Sequence, residues 1–187
     1  TTQTGCDSAD AGYYASIGGT AAASAATGQT EAVAGYYACD SGDDGTGTGV
    51  TTVTTKASNQ CACPAGRYSG ADGATSCDAC EEGTFQSATT QTGCNSATLG
   101  YYASIGGTAA ASAATGETVV VAGYYACDSN DVSDGTGTGT GVTTEASDQC
   151  ACPVGRYSAG AAATSCAACA EGTFQSATTQ TACDSAT

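Results

Sequence analysis

The opening ten residues, TTQTGCDSAD, return as TTQTGCNSAT at 89–98 and as TTQTACDSAT at 178–187, so the 187-residue chain runs on a period of 88 and then 89 residues. A fixed period of this length marks an array of copied structural units, and it constrains the architecture before any local feature does. Residues 1–88 read as a first repeat unit, 89–177 as a second, and 178–187 as the start of a third. The segments 13–28 and 101–116 are identical. The units differ in length only between Cys39 and Cys61, where the counterpart from Cys127 to Cys150 is one residue longer. An insertion absorbed there points to a solvent-exposed loop.

Such units cannot fold around an ordinary apolar core. Leu, Ile, Val and Phe supply only 14 residues of 187, well below the roughly 20 % at which burial alone stops sustaining a fold. The 41 % hydrophobic content is mostly Ala, Cys and Tyr. Alanine removes too little area from water to offset backbone ordering of about 1–2 kcal/mol per residue. Thirteen cysteines, six per unit and one in the final ten residues, offer covalent compensation. There is no His, so a zinc site would be all-thiolate, and the spacings lack the paired CxxC knuckles of such sites. Disulfides formed in an oxidising, extracellular compartment are the better reading.

The chain has no Met, no signal-like apolar run and no stretch of about 18 apolar residues. It is expected to be a processed or internal piece of a longer secreted protein, not itself inserted in a membrane. Its net charge is -15, and Lys56, Arg67 and Arg156 are the whole cationic complement. That argues against nucleic acid and against anionic membrane surfaces, and favours a hydrated exterior.

A shorter theme recurs within each unit. Gly12-Tyr-Tyr-Ala, Gly35-Tyr-Tyr-Ala, Gly66-Arg-Tyr-Ser and Gly83-Thr-Phe-Gln are followed by Gly100-Tyr-Tyr-Ala, Gly123-Tyr-Tyr-Ala, Gly155-Arg-Tyr-Ser and Gly172-Thr-Phe-Gln. Each Gly precedes an aromatic by two residues, then come a small-residue turn and a Thr/Ser-rich return strand, which is a short hairpin signature. The fold class expected is therefore small, disulfide-rich and mostly β, with hairpin modules stacked in tandem into an elongated rod or fibril and little helix. Helix competes at 20–27, TAAASAAT, and at its copy 108–115, because Ala has the best helix propensity. Eight residues nucleate a helix poorly and Gly18-Gly19 sits directly upstream, so a hairpin arm is preferred. The stretches 118–121 and 50–56 are β-prone through their branched side chains.

The segment from Cys61 to Cys94, CACPAGRYSGADGATSCDACEEGTFQSATTQTGC, resembles the ephrin-receptor-like cysteine-rich repeats, related in style to growth-factor-receptor and tumour-necrosis-factor-receptor modules. Cys-Pro-x-Gly-x-Tyr, Cys-x-x-Cys, Gly-x-Phe and a closing Cys carry the likeness, and they recur from Cys150 to Cys183. It covers about 68 of 187 residues. Departures are the tight Cys61-Ala-Cys63, Glu81-Glu82 and Ala170-Glu171 in place of Pro, and the cysteine-free GYYASIGGTAAASAATG modules. The resemblance implies an extracellular, disulfide-stapled rod of the kind found in microbial, protist or algal surface proteins and fibrils, without implying receptor activity.

Spacing alone leaves the connectivity open. Nearest-neighbour pairing would join Cys39 to Cys61, Cys63 to Cys77, Cys80 to Cys94, Cys127 to Cys150, Cys152 to Cys166 and Cys169 to Cys183. Cys6, the repeat equivalent of Cys94, is then left to pair with a preceding unit, and a free surface thiol is the alternative.

Other residue groups suggest ligands or modification. Asp40, Asp43 and Asp44, with Asp128, Asp131 and Asp134, lie in Gly-flanked acidic loops that supply hard oxygen ligands for calcium. Their spacing departs from an EF-hand loop, and a solvated loop is the preferred reading. Thr46, Thr48, Thr51, Thr52, Thr54 and Thr55, with Thr136, Thr138, Thr140, Thr143 and Thr144, form clusters of the kind that carry O-glycans. The paired tyrosines at 13–14, 36–37, 101–102 and 124–125 invite carbohydrate stacking, but one member of each pair packing on a disulfide is favoured. Without His, and with Cys lacking an activating base, the chain does not read as an enzyme, and no cofactor is expected. The function expected is a structural extracellular protein, self-associating into an O-glycosylated filament, appendage or coat. The alternative is a ligand- or carbohydrate-binding ectodomain segment of a receptor or adhesin.

Overall fold

The computed structural model describes residues 7–40, 43, 45–47, 56–131, 141, 142 and 144–186. It contains two compact units, Thr1–Ala79 with Ala88–Cys94, and Cys80–Ser87 with Asn95–Thr187. Among the described residues every regular element is a strand, and none is a helix. The expected disulfide-rich, hairpin-built β fold is what forms.

Strand Tyr13–Ile17 pairs antiparallel with Thr20–Ala21 on one side and Gly28–Glu31 on the other, in the register Ile17↔Thr20 and Tyr14↔Thr30. Its copy Tyr101–Ile105 pairs with Thr108–Ala109 and Gly116–Val119 in the equivalent register, Ile105↔Thr108 and Tyr102↔Thr118. The alanine-rich 20–27 and 108–115 are not helical: their first two residues, Thr20–Ala21 and Thr108–Ala109, are hairpin arms and the rest is irregular. The glycine pair decides it: Gly18 and Gly19 have φ of 58° and 86°, and Gly106 and Gly107 have 59° and 88°. Two consecutive left-handed residues make the tight two-residue turn whose twist matches the strands it joins. Elsewhere Tyr36–Cys39 pairs with Asn59–Ala62, and Tyr124–Cys127 with Asp148–Ala151. The short ladders Arg67–Tyr68 with Asp78–Ala79 and Thr84–Phe85 with Asn95–Ser96 recur as Arg156–Tyr157 with Ala167–Ala168 and Thr173–Phe174 with Asp184–Ser185. Of the β-prone stretches, Thr118 and Val119 lie in a strand, Lys56 lies outside one, and 50–55 fall outside the described residues.

The eight module-opening glycines share one job. Each has φ between 73° and 86°, and the residue after it donates its N–H to the carbonyl three positions back, as in Tyr13 to Asp10, Arg67 to Pro64 and Thr173 to Ala170. This is a turn whose third residue must be left-handed, a position glycine takes without steric cost.

Cystines replace the missing aliphatic core. Cys39–Cys61, Cys63–Cys77, Cys127–Cys150, Cys152–Cys166 and Cys169–Cys183 are bonded, with Cα separations of 5.7–5.8 Å. Cys80 and Cys94 are disulfide-bonded as well. Cys6 lies outside the described residues. Tyr37 is fully buried against Cys39, Cys63 and Cys77, and Tyr125 against Cys127, Cys150, Cys152 and Cys166. Tyr14 and Tyr102 differ from the expected cystine packing. They sit among Ala32, Ala38 and Ala57, and among Val120, Ala126 and Ala146, because the modules they open carry no cysteine of their own. In all four pairs the first tyrosine is half-buried and the second buried, the alternation a strand imposes.

Candidate functional site

The groups that most resemble a functional arrangement are backbone ones, and they recur. In five places among the described residues the carbonyl of a module-opening glycine accepts the N–H of a buried residue on the return strand. That residue's own carbonyl then accepts an N–H from the hairpin tip two modules further on. The sets are Gly12, Ala32 and Gly73; Gly35, Cys63 and Thr90; Gly83, Ala97 and Glu145; Gly100, Val120 and Ala162; Gly123, Cys152 and Thr179, with N···O distances of 2.7–3.3 Å. All five tip residues are left-handed, with φ of 61–73°. The approach is so close that a Cβ on the glycine would lie 1.8–2.4 Å from the tip carbonyl oxygen. The sequence motif exposed the glycines through their spacing. It did not expose their partners, since Thr90, Ala162 and Thr179 carry no residue-type signal for a left-handed conformation.

The acidic loops are structured by their own side chains. The Tyr37 hydroxyl donates to the Asp43 carboxylate, which also accepts the Gly45 N–H at 2.8 Å. In the second repeat the Tyr125 hydroxyl donates to Asp131 at 2.8 Å, and Asp128 accepts the Asn130 N–H at 2.9 Å. Asp43 and Asp131 therefore tie an acidic loop down onto a buried aromatic. Asp44 and Asp134 lie outside the described residues, and no group of three or more acidic or cysteine side chains suited to a metal ion occurs among those described. Of the threonine candidates, Thr46 and Thr144 are described and exposed. Thr48, Thr51, Thr52, Thr54, Thr55, Thr136, Thr138, Thr140 and Thr143 lie outside the described residues.

In the second unit an open groove of about 300 Å³ is lined by Glu82, Asp128, Ser129, Asp131, Ser147 and Asp148 together with Ala109–Ala111. Glu82 is its organiser, a role that sequence reading missed. Its carboxylate accepts the Ser147 hydroxyl at 2.6 Å, and the Ser129 N–H and hydroxyl at 2.8 and 2.9 Å. These donors, Ser147 foremost, hold the Glu82 pKa below its ordinary value of 4.5. A depressed folded-state pKa gives stabilisation that is complete above the unfolded value and is lost as pH falls through the folded one. Protection of the Ser129 amide from hydrogen exchange, corrected for the intrinsic rate, should thus drop on acidification below about pH 4.5. In Glu82→Gln that drop should be absent, and its persistence would show that another carboxylate anchors the loop.

Two of the three cations are also structural: Arg67 and Arg156 each donate from Nη1 to a carbonyl of their own hairpin, of Cys77 and of Cys166, at 2.9 Å. The architecture, small and β with cystine in place of an apolar core, is that of an extracellular structural or binding module. No protein-family model matches the chain, and no curated protein matches it.

Proposed function

We propose that this chain is a structural extracellular protein, the repeating part of a disulfide-stapled, O-glycosylated fibril or cell-surface coat. The recurrence of the glycine, return-strand and tip contact in both repeats is the observation that carries this reading. A contact made by backbone atoms, and repeated at the same register along a chain, serves uniform association of like with like. Diversified recognition would need the opposite. Half of the paired tyrosines that could stack on sugar are spent inside, since Tyr14, Tyr37, Tyr102 and Tyr125 are at most 5 % exposed, which supports structure over carbohydrate binding. The net charge of -15 keeps the exterior hydrated and repels lateral collapse. Exposed Thr46 and Thr144 are accessible acceptors for glycans. Among the described residues no helix is long and apolar enough to cross a membrane.

Electron microscopy of native material tests the reading. An axial period commensurate with the repeat unit is expected, together with an intact mass above that of the bare polypeptide. Dispersed monomers at native concentration would sink it.

A further inference from the structure

The serine hydroxyls of the hairpins divide into two kinds. Some are bound into the fold: those of Ser16 and Ser104 bond Thr30 and Thr118 across the ladder at 2.8 Å, and those of Ser69 and Ser158 donate to carbonyls two residues on at 3.0 and 3.1 Å. Ser24 and its copy Ser112 are of the other kind. Both are exposed, and among the described residues neither hydroxyl has a hydrogen-bond partner. A hydroxyl that bonds to nothing gives the fold no more than the methyl of an alanine would.

Their setting is the same in both repeats. The sequence around each is TAAASAAT, at 20–27 and at 108–115, and no other Ser or Thr of the chain has alanine at both positions on either side. The fold turns each segment into a bulge pinned at its feet. The Ala22 and Thr27 amides donate to the Ala15 and Ser16 carbonyls at 2.9 and 3.0 Å, and the Ala110 and Thr115 amides to Ala103 and Ser104 at 3.1 Å. Between the feet, 23–26 and 111–113 lie outside every strand, and neither Ser24 nor Ser112 makes a backbone hydrogen bond. Engaging the neighbours does not cover the serine. Ala114 is 0 % exposed and its carbonyl accepts the Gln86 N–H at 3.0 Å, while the Ala113 N–H donates to the Cys80 carbonyl at 2.8 Å. Ser112, between these residues and the arm, stays exposed.

We infer that Ser24 and Ser112 carry O-glycans, added by a glycosyltransferase of the secretory route from an activated sugar phosphate. The serine Oγ attacks the anomeric carbon of the sugar, the bond from that carbon to the donor phosphate breaks, and the hydroxyl proton passes through the base of the transferase to the departing phosphate. The products are the glycosyl serine and the free phosphate donor remnant. Such an enzyme has to bring a peptide hydroxyl within bonding distance of the donor inside a cleft. The crest of a bulge with only methyl groups on either side enters such a cleft, whereas a strand held in a ladder between tyrosines does not. Attachment displaces no hydrogen bond of the fold, so it leaves no buried donor or acceptor unpaired. The inference rests on the glycosylated reading above and extends its acceptors from the threonine-rich loops to the hairpins, at one equivalent place in each repeat.

Alkaline β-elimination of native material in the presence of methylamine tags every serine and threonine that carried a sugar, and mass spectrometry of the peptides locates the tags. Cleavage after glutamate separates the two copies, one peptide ending at Glu31 and the other at Glu117. Ser24 and Ser112 should be tagged in most molecules, and the bonded Ser104, 3 % exposed, in none. Ser112→Ala secreted by the source cells should lose the glycan of that site alone, and unchanged protection of the Ala103 amide shows that the variant folds. Absence of tags from Ser24 and Ser112, or tags no more frequent there than at Ser104, would overturn the inference. Sugar confined to the threonine-rich loops around Thr46 and Thr144 would remove the inference and leave the glycosylated reading standing, whereas an intact mass equal to that of the bare polypeptide would remove both.

Discussion

Gly123→Ala is expected to destabilise the second unit by about 2–5 kcal/mol, while Gly155→Ala costs about 1–2 kcal/mol. The two glycines open homologous turns and have nearly the same φ, 86° and 80°. Both substitutions therefore place a Cβ in a left-handed residue, at about 1–2 kcal/mol. Only at Gly123 does the new atom arrive 2.3 Å from the Thr179 carbonyl oxygen, whereas nothing lies within 4 Å at Gly155. A backbone carbonyl cannot rotate aside as a flexible side chain can, so relief requires shifting the tip hairpin and adds about 1–3 kcal/mol. Urea midpoints at a common slope measure the difference. Exchange of the Cys152 amide, which donates to the Gly123 carbonyl at 2.9 Å, locates it. Equal costs at the two positions would mean that the glycines are kept for φ alone.

Reduction should abolish the fold outright. Each cystine closes a loop such as the 14-residue separation of Cys152 and Cys166, worth about 3 kcal/mol through the unfolded chain. Twelve cysteines are disulfide-bonded, and their combined contribution exceeds the roughly 5–15 kcal/mol by which a domain of this size is stable. The cystines also form the walls on which Tyr37 and Tyr125 pack, so losing them removes buried contacts at the same time. Reduced and alkylated protein should have no near-ultraviolet circular dichroism and no protected amides. Paired Cys152→Ser and Cys166→Ser changes should lower stability by about 3 kcal/mol on their own. Hairpins persisting in the alkylated chain would show that backbone pairing outweighs the cystines here.

The hairpin architecture was legible from composition because the alternatives were closed off. Fourteen aliphatic and Phe residues cannot build a core, and a glycine at a fixed distance before each aromatic marks a turn before it marks anything else. The helix rival at 20–27 failed for the reason visible in the sequence: Gly18-Gly19 admits two left-handed residues, and the strand before it turns back there. In two of the cystines the hairpin itself sets the pairing: Cys39 stands opposite Asn59 and Cys61 opposite Tyr37, and Cys127 opposite Asp148 and Cys150 opposite Tyr125, so each bonded pair sits diagonally across one ladder. The tip contacts were hidden. They are made by carbonyl and amide groups that every residue has, and left-handed Thr90, Ala162 and Thr179 carry side chains that do not mark that conformation in a sequence. Glu82 escaped notice too, since its serine partners lie 47 and 65 residues away in sequence.

In the five sets described, the hairpin tip seats on the module two places before it, as Thr179 seats against Gly123 and Ala162 against Gly100, and the intervening module is skipped. Parity follows. Inserting or deleting a single module would bring every later tip against the wrong partner class, whereas adding or removing two would restore each tip to a glycine of its own line. Arrays of this kind should therefore grow and shrink in even steps, and the four-module repeat unit of this chain is already such a step.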